Sequence, residues 1–181
     1  MGEIECKEPI VTLWYNPKHM DRAVALSFEG MRCNCGGPFG CVIVHRDPKT
    51  GRETIIGWGY NEVPSTNDWT KHAEMAALRR AARWLKKKSY GQFGFLTDCD
   101  VYVNAHPCTM CEAALLWARP RRIYYVLTKR QAGRIGFADQ RIENHFRKPP
   151  ERRRYRPIHV HHRHAAKAFR EWERKRDKVR Y

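Results

Sequence analysis

Three observations predict an α/β fold, a three-layer α/β/α arrangement with helices on both faces of a mixed central sheet of about five strands. Two strand-like runs, residues 39–44 and 54–60, flank the turn Asp47-Pro48-Lys49-Thr50-Gly51 and read as a hairpin. From Thr70 onward, helical and strand-like segments alternate. The length, 181 residues, suits one domain with appendages and is short for two.

Taken in order, residues 1–19 show no sustained periodicity and read as an N-terminal extension, with Trp14 and Tyr15 as candidates to pack on the core. Ala23, Leu26, Phe28 and Met31 then recur at helical spacing, and the breaker Asn34-Cys35-Gly36-Gly37-Pro38 ends that helix. After the hairpin, Thr70 is the candidate cap of a helix whose Ala73, Ala76, Ala77, Ala81 and Leu85 fall on one face. Lys86-Lys87-Lys88 suits its C-terminal end, where the helix dipole is negative. Residues 101–103 predict a strand, 108–118 a second core helix and 122–127 a further strand. The core thus spans 20–147, with a last helix over 139–146. Residues 148–181 form a linker and C-terminal segment: Pro149-Pro150 cannot continue a helix, a strand-like piece follows at 157–160, and a final helix at 164–176.

Composition narrows the function classes. No run of eighteen apolar residues occurs, and the first twenty residues lack the apolar stretch of a secretory signal, so a cytoplasmic protein without a membrane span is expected. Seven cysteines in a reducing compartment argue for metal binding or catalysis and against a disulfide framework. The net charge of +16 invites nucleic acid as a partner. From Arg141 onward, however, fifteen Lys/Arg stand against five Asp/Glu, and a solvated basic tail is the plainer reading.

The chemistry concentrates in His72-Ala73-Glu74 and Pro107-Cys108-Thr109-Met110-Cys111. Cys108 and Cys111, three apart in the first turn of a helix, face the same way, and the dipole there favours the thiolates that zinc requires. One imidazole completes three ligands, and the fourth tetrahedral position stays open for water, as in catalytic rather than structural zinc sites. Glu74, two residues from His72, is poorly directed to be a ligand, but it is able to reach a metal-bound water and move its proton. Each half has a bland reading, a thioredoxin-like Cys-x-x-Cys pair or a chance His-x-Glu. Together they form the H-x-E with P-C-x-x-C signature of zinc nucleobase deaminases.

With these motifs the chain resembles the cytidine deaminase-like superfamily, and within it the guanine and guanosine deaminase group. The likeness runs from about Met20 to Tyr181 and includes Gly36-Gly37-Pro38-Phe39-Gly40, Asn61, Trp117-Ala118-Arg119-Pro120, Gly136-Phe137-Ala138-Asp139 and a terminal aromatic residue. The resemblance implies one zinc per chain on His72, Cys108 and Cys111, proton transfer by Glu74, base recognition by Asn61 and Asp139, and ring packing by Phe39, Trp117 and Tyr181. It further implies a small purine substrate, guanine going to xanthine and ammonia, and a homodimer that exchanges its C-terminal segments. Editing of adenosine in tRNA and a non-catalytic zinc or RNA-binding subunit are the rival readings. Phe39 as core, Asn61 as a turn residue and Asp139 as a helix cap are the structural alternatives for those positions. One departure stands out: the group usually has Glu before the Pro-Cys pair, and this chain has His106. The tract His159-Val160-His161-His162-Arg163-His164 divides its imidazoles between two faces if extended, which disfavours a metal role.

Overall fold

The computed structural model describes residues 14–88 and 94–179. Helix α1, Pro17–Arg32, starts three residues ahead of the expected core boundary because Asn16 caps it, accepting from the Lys18 amide at 3.1 Å, while Pro17 fills the first turn. The hairpin follows as β1, Gly40–Arg46, and β2, Glu53–Tyr60. A short α2, Val63–Thr66, opens on Pro64 and closes on Asn67 at φ 49°. The remaining core elements are α3, Ala73–Lys88; β3, Cys99–Ala105; α4, Thr109–Ala118; and β4, Arg122–Leu127. Beyond them lie α5, Lys129–Arg134; α6, Gln140–Arg147; and α7, Ala165–Arg174.

The strands form one mixed sheet in the order β2-β1-β3-β4, with β1 antiparallel to both neighbours and β3 parallel to β4. Strand residues alternate between its faces, which divides the core in two. On one face Met20, Ala23 and Leu26 of α1 pack on Val42, Val44, Tyr102 and Tyr124. On the other, Ala73, Ala77 and Ala81 of α3 and Leu115 of α4 pack on Cys41, Ile43, Val101 and Val103. The small alanine face of α3 lets that helix lie close to the sheet. Buried Asp100 pairs with Arg121 at 3.0 and 2.5 Å, tying the loop before β4 to β3. Tyr15 packs on Tyr102 and Tyr124, which bears out the packing expected of it.

Four expectations are corrected. The sheet has four described strands and not five: residues 157–160 are coil, begin at a proline that has no amide to donate, and leave Ile158 82% and Val160 74% exposed. Thr70 does not cap α3. Its hydroxyl donates to Asp68 at 2.7 Å and accepts from Arg79 at 3.0 Å, while the first helical hydrogen bond runs from the Ala76 amide to the His72 carbonyl. Cys33 and Cys35 are disulfide-bonded, because Asn34 turns left-handed at φ 55° and brings their Cα atoms to 5.2 Å, within disulfide range. Finally, α5 was not expected at all, although Thr128 and Gln131 form a reciprocal capping box. No helix among the described residues is long and apolar enough to cross a membrane.

Candidate metal centre and catalytic cavity

Two helix N-termini meet beside the end of β3. His72 precedes α3, Cys108 is the N-cap of α4 in extended conformation, and Cys111 lies one turn further in. Both thiols sit 3.5 Å from His72 Nδ1. Zinc–sulfur and zinc–nitrogen bonds of about 2.3 and 2.05 Å at a tetrahedral angle give a sulfur–nitrogen separation of about 3.5–3.6 Å. The three donors, mutually within 4.8 Å, therefore fit one zinc ion without rearrangement.

The electrostatics point the same way. A hydrogen bond from the Cys111 thiol, reinforced by His72, holds Cys108 down at about 4. His72 is raised, chiefly by its hydrogen bond to Cys108. Cys111 is raised by sharing its proton with Cys108 and by burial. Zinc ligation needs both sulfurs as thiolates, and a bound cation is what stabilises the pair together.

Glu74, in the first turn of α3, is buried, and burial raises its carboxyl above the ordinary range. It lines a cavity of about 650 Å³ together with His72, Cys108, Asn61, Phe39 and Asp139. Its walls come from residues 37–39, 61–64, 72–74, 106–108 and 136–142. Phe39, which also touches the sheet core, meets Phe137 edge to face at 4.7 Å on the cavity wall. Asn61 accepts from the Gly37 and Val63 amides, each at 3.3 Å, so its oxygen orders the wall. A Cβ on Gly36 would lie 2.2 Å from that oxygen, so only glycine fits there.

Asp139 reaches the cavity because α5 ends at Gly136, whose φ of 97° reverses the chain while the Phe137 amide bonds back to the Ala132 carbonyl. Asp139 is the N-cap of α6, and its side chain makes no capping hydrogen bond there. Burial, then the nearby Cys108 thiolate, raises its carboxyl. Lys129 anchors the segment by pairing with Glu143 of α6 and, at 3.6 Å, with Glu112 of α4.

One expected site residue does not join this cavity. Trp117 is 64% exposed: it follows Cys111 by six residues, about 600° around the helix, while the faces of Cys111 and Leu115 are buried. Tyr181 lies outside the described residues. Conversely, Phe137, Val63, Pro64, Arg141 and His106 line the cavity without having been expected there. His106 stacks on Tyr125 at 4.4 Å, and its Nδ1 lies 2.9 Å from the Pro107 carbonyl, the backbone partnership that suits an imidazole where the resembled group has a carboxylate.

Residues 15–127 match the family described as the cytidine and deoxycytidylate deaminase zinc-binding region. A guanine deaminase from Bacillus subtilis (strain 168) is 41% identical over 134 residues, 74% of this chain and 78% of the relative. The X-ray structure of guanine deaminase from Bacillus subtilis superposes with a TM-score of 0.81 at 35% identity, covering 92% of this chain and 99% of that one. A tRNA-specific adenosine deaminase from Rickettsia bellii is 34% identical over 98 residues, 54% of this chain and 61% of the relative.

Proposed function

The chain belongs to the cytidine and deoxycytidylate deaminase zinc-binding family, and from that premise we propose that it hydrolyses guanine to xanthine and ammonia at a single zinc ion held by His72, Cys108 and Cys111. The observation that carries this reading over tRNA editing is the extent of likeness: 74% of the chain aligns with the guanine deaminase against 54% with the tRNA deaminase.

When bound, zinc supplies a nucleophilic water at neutral pH by lowering its pKa toward about 7. The remaining work falls to the protein. Guanine lies against the paired rings of Phe39 and Phe137, which exclude bulk water. Asn61, its oxygen occupied by two amides, offers its NH₂ group to the base, and Asp139 accepts from the base's N–H groups. A carbon–oxygen bond forms at C2 of the ring as the water loses a proton to Glu74 and the C2=N3 π pair moves onto N3, to re-form the double bond when the amino group leaves. Glu74 returns that proton to the amino nitrogen, the carbon–nitrogen bond breaks, and ammonia departs. A buried carboxyl with an elevated pKa suits this exchange, since it holds the proton more readily than an ordinary glutamate.

Ammonia release from guanine, guanosine, other aminopurines, cytosine and tRNA tests the assignment, with guanine expected to be the preferred substrate. Asp139→Ala is expected to lose guanine turnover by roughly 5- to 150-fold, the equivalent of about 1–3 kcal/mol for donors left unpaired, while keeping its zinc. Preference for tRNA, or unchanged Asp139→Ala kinetics, would contradict the corresponding part of the reading.

The dimer with exchanged C-terminal segments completes the proposal. The open edge of β4, with Tyr125, Val126 and Leu127 exposed, and outward-facing Trp117 supply an apolar surface for a second copy, and Pro149-Pro150 directs the last residues away from their own core. In this arrangement Trp117 lies at the subunit contact, and Tyr181 reaches the partner's cavity. Co-refolding Glu74→Ala with a chain lacking Tyr181 should then restore about a quarter of wild-type activity, because half the dimers are mixed and each has one intact site. Mixed dimers without activity would exclude exchange.

A further inference from the structure

A second groove adjoins the catalytic cavity, and Arg141 and Ile142 at the start of α6 line both. It measures about 830 Å³ and runs between α6 and the arm that follows the proline pair. Three cations, Arg141, Lys148 and Arg154, and three aromatic rings, His145, Phe146 and Tyr155, face it, and no carboxylate does. Among the described residues none of the three cations is ion-paired with a carboxylate. The one acidic residue of α6, Glu143, is engaged by Lys129 and Arg147.

The arm is held in place locally. Arg153 donates to the Phe146 and Lys148 carbonyls at 3.1 and 2.9 Å, satisfying the C-terminal end of α6. Yet the rings this leaves in the groove stay largely open to solvent: Tyr155 is 70% exposed and Phe146 54%, although Phe146 also meets the His145 ring and the Arg153 guanidinium. Arg154 lies over the Tyr155 ring at 5.3 Å, a guanidinium and a phenol presented together. Unpaired guanidinium groups bind phosphate, and solvent-exposed rings stack bases. A solvated basic face has no need of the rings, and an apolar docking face has no need of three uncompensated cations.

We propose that this groove binds a nucleotide unit, its phosphate on Arg141, Lys148 and Arg154 and its base against Tyr155 and Phe146, either as a free nucleotide or within a single strand. This binding function goes beyond deamination of a free base and does not require it. The groove's continuity with the catalytic cavity would place such a ligand within reach of the zinc site.

The test is fluorescence anisotropy on the zinc-loaded full chain and on its Glu74→Ala variant, with a labelled single-stranded oligoribonucleotide that contains no guanine. Both proteins are expected to bind it, with a slope of log affinity against log salt between about −0.7, for one phosphate neutralised, and about −2, for three successive phosphates of a single strand. Tyr155→Ala is expected to weaken binding by about tenfold with zinc content unchanged, and Arg154→Glu to flatten the salt slope. Competition by GMP, with inorganic phosphate as control, distinguishes the two sources: efficient displacement by GMP marks a mononucleotide site, and weak displacement marks a strand-binding one. Equal binding of single strand, duplex and heparin, unaffected by Tyr155→Ala, would overturn the proposal, as would selective binding of phosphatidylserine vesicles.

Discussion

Cys111→Ala is expected to give a folded protein with neither zinc nor activity. Cys111 is fully buried on α4, but its sulfur is a small volume to lose, and the two faces of the sheet are packed by other residues. The loss should therefore fall on the metal: a His–Cys pair remains, with only two ligands where a catalytic site needs three. Elemental analysis should show a fall from close to one zinc per chain to near none, and ammonia release should fall to background. Cys108→Ala should behave alike. Folded, zinc-free protein that still deaminates would remove the basis of the mechanism proposed above.

Glu74→Ala separates proton transfer from metal binding. Because Glu74 is not among the three converging donors, the variant should retain zinc while turnover drops by about 10²–10⁴-fold, the usual scale of general acid–base catalysis. Zinc content measured alongside kcat distinguishes this from a damaged metal site. A variant keeping more than half of the wild-type kcat would assign the proton to another group, and Asp139, with its raised carboxyl in the same cavity, is the one to examine next.

The expected order of elements is legible because it rests on short-range regularities; the meeting of His72 with Cys108 and Cys111, 36 and 39 positions away, is legible only because the two motifs together match the zinc deaminase signature. Short, nearly continuous apolar runs mark the central strands β1 and β3, which are buried on both faces, and a Cys-x-x-Cys step at a helix start points both sulfurs the same way whatever surrounds it. The capping box that begins α5 was equally present in the chain, as Thr128-Lys129-Arg130-Gln131, and was overlooked for lack of an apolar period behind it.

What remained open was decided over longer distances. The pairing of Phe39 with Phe137 joins residues almost a hundred positions apart, and it depends on the left-handed turn at Gly136 that also aims Asp139 inward. Trp117 was placed near the ring by resemblance, but the helical phase set by buried Cys111 and Leu115 turns it to the surface. The piece at residues 157–160 has strand-like composition and no neighbouring strand, and without a ladder partner its backbone stays in coil. The basic tail shows the same division. Its charge can be counted from the chain, but only the packing of the arm on α6 brings three cations and three rings to one groove, because the residues that form it do not share a single periodic face.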